Sequence, residues 1–307
     1  MSGRSSVRAI AELDPKFKEM KTLLIATDLS ANAAQVAGYA YRLAQSLKAK
    51  LLLCYAINIP AEIPQDGTTA WPLQVYDDID RETEIELERL KTRLTALDGP
   101  EAYKPEITCV HEPGFVTDVL NDLSVRHHAD LIIIGMHGND RLGTWLTGNH
   151  SSKMIGTAVC PLLLIPAGAE FKPLKRIAFG SDFKQPGTDL KALRKLEVLA
   201  EAFNAELVLT HVDQGKDDPE YSLIVKATLT ELMRKLNHGK ASAKMVKSEH
   251  IANGLEWLVR HGHIDLLAMD HHQHGFFDQL IHGSRTQQAA IRIPVPLLVF
   301  NINENEN

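Results

Sequence analysis

The sequence predicts an α/β protein of two tandem doubly wound domains, each a five-stranded parallel sheet flanked by helices. Three observations carry this. Short apolar runs alternate with longer amphipathic ones along the whole chain. Runs such as Leu23-Leu24-Ile25 and Ile132-Ile133-Ile134 are apolar without a polar face, as strands covered on both sides by helices must be. The pattern also runs twice. Gly148 and Pro161 recur as Gly283 and Pro296, each 135 positions on, and Asp28 recurs as Asp182, 154 positions on.

The elements follow in order. In the first half, strands are expected over 22–27, 50–56, 106–110, 130–134 and 161–165, with helices over 31–48, 78–97, 114–127 and 149–158. The second half repeats this, with strands over 176–180, 206–212, 243–247, 264–268 and 296–300 and helices over 188–203, 217–237, 251–262 and 284–292. Helix 78–97 carries Glu84 and Glu88 one turn apart among charges of both signs, the pattern of a solvated face. The two offsets differ by 154 − 135 = 19 residues, which requires a longer connection in the first half. Residues 58–77, rich in Pro, Gly, Thr and Gln, are the candidate. The domains are placed at 21–168 and 172–301, with an N-terminal extension at 1–20 and a tail at 302–307. The join Pro166–Pro173 is short, so the domains should pack together.

A chain of 307 residues is long enough for two domains, each with its own core. Its hydrophobic fraction of 44% and charged fraction of 23% are ordinary for a globular protein. A net charge of −6 argues against a nucleic-acid binder built on phosphate contacts. No apolar run reaches the ~20 residues that span a bilayer, and the charged start lacks a secretory pattern. The expectation is a cytoplasmic protein without nucleic-acid or membrane partners. Cys54, Cys109 and Cys160 are odd in number and widely spaced, which suits buried structural thiols better than a disulfide or zinc framework.

The chemistry points to one loop. Gly135-Met-His-Gly138 leaves the strand at 130–134, and Gly148-Asn149-His150-Ser151 opens the following helix. Such a loop presents backbone N–H groups to phosphate oxygens at a helix N-terminus. Gly135 and Gly138 let the main chain approach ribose and phosphate, and Asn149 doubles as an N-cap. Asp28 ends the first strand. If the first and fourth strands are neighbours, Asp28 and the glycines share the crevice at a switch in strand order. There the carboxylate could accept from an adenine amino group or a ribose hydroxyl. Asp28 or Ser30 could instead serve only to cap the first helix.

These residues resemble the universal stress protein family. Its nucleotide-binding members share an Asp after the first strand and a Gly-two-residues-Gly-nine-residues-Gly-Ser/Thr pattern, matched here by Asp28, Gly135, Gly138 and Gly148. The likeness spans residues 20–301, with Asn149 standing where the family has Ser or Thr. It implies a Rossmann-like, adenine nucleotide alpha hydrolase-like fold. It also implies ATP, with or without Mg2+, as the ligand, and Ala26, Thr27, Ala56 and Ile134 as further lining of the pocket. It implies pairing of the two last strands across a pseudo-two-fold, so that one chain mimics a dimer, with a homodimer of chains also open to it. The expected role is stress-response signalling rather than catalysis.

The second half departs from the pattern. Asp270 and Gln273 align with Gly135 and Gly138, while Asp182, Gly283 and Ser284 remain. A carboxylate there would repel phosphates, so this half is expected to bind ATP far more weakly or not at all. Asp270, His271, His272, His274 and His282 fall in the corresponding loop, at spacings that match no established metal pattern. Ala26-Thr27-Asp28-Leu29 lacks the His-x-Gly-His of a nucleotidyl transferase and the Ser-Gly-Gly loop of an ATP pyrophosphatase. No catalytic residues are assigned; any ATP turnover would be slow. The alternatives are an interaction scaffold with vacant pockets and a slow ATP hydrolase or metal-responsive protein.

Overall fold

A computed structural model describes residues 19–57, 73–136, 154–215, 219–271 and 293–301. The first half runs β1 (Thr22–Ala26), α1 (Ala31–Leu47), β2 (Lys50–Ile57), α2 (Leu73–Thr95), β3 (Ile107–Pro113), α3 (Val116–Arg126), β4 (Leu131–Gly135) and β5 (Leu162–Ile165). The second runs β6 (Arg176–Gly180), α4 (Pro186–Phe203), β7 (Glu206–Asp213), α5 (Pro219–Lys235), β8 (Ala241–Lys247), α6 (Ile251–His261), β9 (Leu266–His271) and β10 (Leu297–Asn301). Residues 1–18 of the expected extension 1–20, the tail 302–307, most of the connection at 58–77, and the helix over 284–292 lie outside the described residues, as does half of that over 149–158.

All ten strands form one sheet in the order β3-β2-β1-β4-β5-β10-β9-β6-β7-β8. Each half contributes five parallel strands. The halves meet where β5 and β10 pair antiparallel, with Leu163 opposite Leu298. This is the expected pairing of the last strands, and it makes two sheets into one.

Strand residues alternate between two cores. Leu23, Ile25, Ile133, Phe179 and Phe300 face α1, α2, α4 and α5. Leu24, Ile132, Leu164, Val208 and Met269 face α3 and α6. Burying both faces explains why the strands read as continuous apolar runs.

Local chemistry sets the helix ends. Ser30 accepts from the Ala33 N–H at 3.2 Å, and Lys48 closes α1 in the left-handed region at φ 55°. Pro186 starts α4, where its missing N–H is harmless, and Asn204 ends it at φ 52°. In the join, Phe171 inserts between Tyr39 of α1 and Phe203 of α4, with ring centroids 5.2 and 6.2 Å away.

The extra length of the first half is not confined to 58–77. α2 begins at Leu73 and has 23 residues against 17 in α5, and 96–106 is a longer link to β3 than 236–240 is to β8. β9 also runs past the expected 268, because Asp270 and His271 pair with Phe300 and Asn301. Asp270, 1% exposed, and His271 are therefore strand residues and not part of the loop expected to hold them.

Candidate functional site

The chain runs outward from β1 through β2 to β3, then returns to lay β4 on the other side of β1. The switch point thus lies between the carboxyl ends of β1 and β4. Ile25 pairs with Ile133, which brings the residues after β1 and the end of β4 to one crevice.

Each side of the crevice is fixed by short-range bonds. Thr27 is buried; its N–H donates to the Cys54 carbonyl at 2.8 Å and its Oγ1 accepts from the Leu29 N–H at 3.0 Å. Asp28 is exposed, and its Oδ1 accepts from the Ser30 N–H at 3.0 Å. Leu29 pays for this double turn with a left-handed φ of 61°. Ser30, rather than Asp28, caps α1. Asp28 is held in a turn at the rim of the crevice.

On the other side, Ile134 and Gly135 end β4. A Cβ on Gly135 would lie 2.7 Å from Val36 Cγ2 of α1, so this glycine is required for the helix to approach the strand. The Met136 N–H donates to the Ile165 carbonyl at 2.7 Å. Asn32 Nδ2 donates to the Met136 carbonyl at 3.1 Å and bonds the two sides of the crevice together. Ala26, Ala56 and Ile134 are half-buried at the carboxyl ends of β1, β2 and β4 on the α3 side of the sheet. Six of the expected site residues (Ala26, Thr27, Asp28, Ala56, Ile134 and Gly135) thus converge. Gly138, Gly148, Asn149, His150 and Ser151 lie outside the described residues.

The second half repeats the turn and then covers it. The Phe183 N–H donates to Ser181 Oγ and the Lys184 N–H to Asp182 Oδ1, both at 3.0 Å, with Phe183 at φ 57°. Asp182, however, is only 9% exposed. The Tyr221 hydroxyl of α5 donates to the Asp182 carbonyl at 2.7 Å, and Lys184 Nζ stands 3.7 Å from Asp182 Oδ2. His211 is buried between Phe183 and Tyr221, at centroid distances of 6.4 and 6.1 Å. Ser181 Oγ donates to the buried Asp189 at 2.6 Å. Asp270 takes the place of Gly135, as its pairing with Phe300 matches that of Gly135 with Ile165. The apolar wall changes too: Val212 stands at the level of Ala56 and packs against Gly254, where a Cβ would come within 2.7 Å. Tyr221 and His211 were not legible as site residues, since only their placement by α5 and β7 brings them over Asp182.

The three thiols are inert by environment. Burial pushes Cys54 up to about 12, and Cys109 and Cys160 up to about 11. Among the described residues no group of three or more His, Cys, Asp or Glu could hold a metal ion. His272, His274 and His282 lie outside the described residues. No helix among the described residues is long and apolar enough to cross a membrane.

A model of the universal stress protein family matches residues 19–166 and again 173–301. The universal stress protein Slr1230 of Synechocystis is 25% identical over 300 residues, covering 92% of this chain and all of that protein. A universal stress protein of Thermus aquaticus is 26% identical over 145 residues, covering 47% of this chain and 98% of its own. The crystal structure of a universal stress protein from Archaeoglobus fulgidus superposes with a TM-score of 0.68 at 18% identity, over 94% of this chain and 98% of that one. That likeness speaks to the fold.

Proposed function

From the premise that this chain belongs to the universal stress protein family, we propose that its first half binds ATP and acts in cytoplasmic stress-response signalling. The observation that carries this reading is the exposed Asp28 at the end of β1, beside a β4 that ends in Gly135, at the switch point of the sheet. In this reading Asp28 accepts from the adenine amino group or the ribose. Ala26, Ala56 and Ile134 form the apolar wall, and Thr27 lines the pocket beside them. Gly138 keeps the main chain close to the ribose, Gly135 meets it through its main chain while its missing side chain makes room for Val36 of α1, and Gly148, Asn149, His150 and Ser151 offer N–H groups to the phosphates, with or without Mg2+. The set holds no paired acid and base, which suits a sensor better than a hydrolase.

The second half is proposed to be a structural partner that binds ATP weakly or not at all. Its equivalent Asp182 is buried, with the Tyr221 hydroxyl on its main-chain carbonyl and Lys184 beside its carboxylate, and Asp270 replaces the glycine. The test is direct. Freshly purified protein, denatured and analysed for small molecules, should release an adenine nucleotide, and added ATP should raise the melting temperature. Protein that releases none and does not respond to ATP is a scaffold with vacant pockets, and the reading fails.

A further inference from the structure

Asn32 lies outside the set of residues proposed to touch the nucleotide, yet it makes the bond that joins the two sides of the crevice. Its Nδ2 reaches across 104 positions of chain to the Met136 carbonyl at 3.1 Å. Met136 is the first residue after β4. Its N–H is taken by Ile165, its side chain is buried, and Gly135 before it rests on Val36. The carbonyl held by Asn32 completes a three-way anchor at the point where the chain leaves the sheet. The residue 154 positions on from Asn32 is Pro186, which opens α4 and carries no side-chain donor.

We propose that Asn32 is a positioning residue of the first-half site: by holding the Met136 carbonyl it ties the end of β4 to the start of α1 and so pre-organises the crevice for an adenine nucleotide. The proposal rests on the ATP-binding reading above. Pre-organisation lowers the ordering cost that binding would otherwise carry. The change to Pro186 is then one of the differences that leave the second half without a competent site.

The test is calorimetric titration of ATP into the full chain, with each variant checked for folding by its thermal melt. Asn32→Ala and the isosteric Asn32→Asp both remove the amide donor. Asn32→Ala is expected to raise Kd about fivefold, the worth of one neutral hydrogen bond, and Asn32→Asp by more, because it also sets a carboxylate against the Met136 carbonyl and near the phosphates. Asn32→Gln keeps the donor and should return to within about twofold of the parent chain. Gln35 is the control: it sits on the same helix and donates Nε2 to the Ala169 carbonyl at 3.5 Å, away from β4. Gln35→Ala should bind like the parent. If the parent binds ATP and Asn32→Ala binds as tightly, or if Gln35→Ala weakens binding equally, the positioning role is overturned. If the parent itself does not bind, the ATP reading has failed and takes this proposal with it.

Discussion

Val36 occupies the space that a side chain on Gly135 would need, with its Cγ2 2.7 Å from where a Cβ would stand. The contact presses α1 onto the end of β4, next to the crevice. A β-branched valine in a helix has little freedom to turn away. Gly135→Ala should therefore destabilise the protein by about 1–3 kcal/mol, as overpacking does. Adding Val36→Ala should recover part of the loss. Urea denaturation of the single and double variants checks this; a neutral Gly135→Ala would mean the interface yields easily.

Asp130 and Asp265 do the same job in the two halves. Asp130 Oδ2 accepts from the N–H groups of Lys21 and Thr22 at 2.7 and 3.0 Å, and Asp265 Oδ2 from those of Lys175 and Arg176 at 2.7 and 2.9 Å. Each carboxylate pins the start of a first strand, β1 or β6. Alanine at either position should cost about 2 kcal/mol, and asparagine, which keeps an acceptor oxygen without the charge, less. Denaturation midpoints of the four variants give the comparison.

Phe171 is the only contribution of the join to the aromatic cluster with Tyr39 and Phe203. Phe171→Ala removes two ring contacts, each worth about 0.5–1.5 kcal/mol beyond burial. The variant should unfold at lower denaturant while Phe171→Leu retains part of the packing. Equal stability of Phe171→Ala and parent would show that the ring cluster adds nothing to holding the halves together.

Alkaline pH should weaken the fold through Cys54. Burial, reinforced by Glu112, raises its thiol from 9.0 to about 12. The folded pKa lies above the unfolded one, so the contribution is intact below pH 9 and is lost as pH rises toward about 12, with a limiting slope of about 1.4 kcal/mol per pH unit. Cys54→Ala should therefore lose less stability between pH 9 and 11 than the parent. Parallel curves for the two proteins would contradict it.

The apolar runs made the sheet legible, because strands covered on both faces leave no ambiguity of side. Legibility ended where polar residues enter strands. β3 extends to Pro113 because Ala56 pairs with Glu112 and Ile57 with Pro113, and β9 reaches His271 by pairing with Asn301. In the site, Asp28 and Gly135 could be placed together only on the condition that the first and fourth strands are neighbours, which the pairing of β1 with β4 meets. The Asn32–Met136 bond and the covering of Asp182 by Tyr221 could not, since each joins residues far apart in sequence through side chains with no motif of their own.

The stoichiometry of ATP bound to the full chain tests the central claim most directly. Calorimetry should give one site per chain, abolished by Asp28→Ala and unaffected by Asp182→Ala. Two equivalent sites, or binding that survives Asp28→Ala and disappears with Asp182→Ala, would contradict the account.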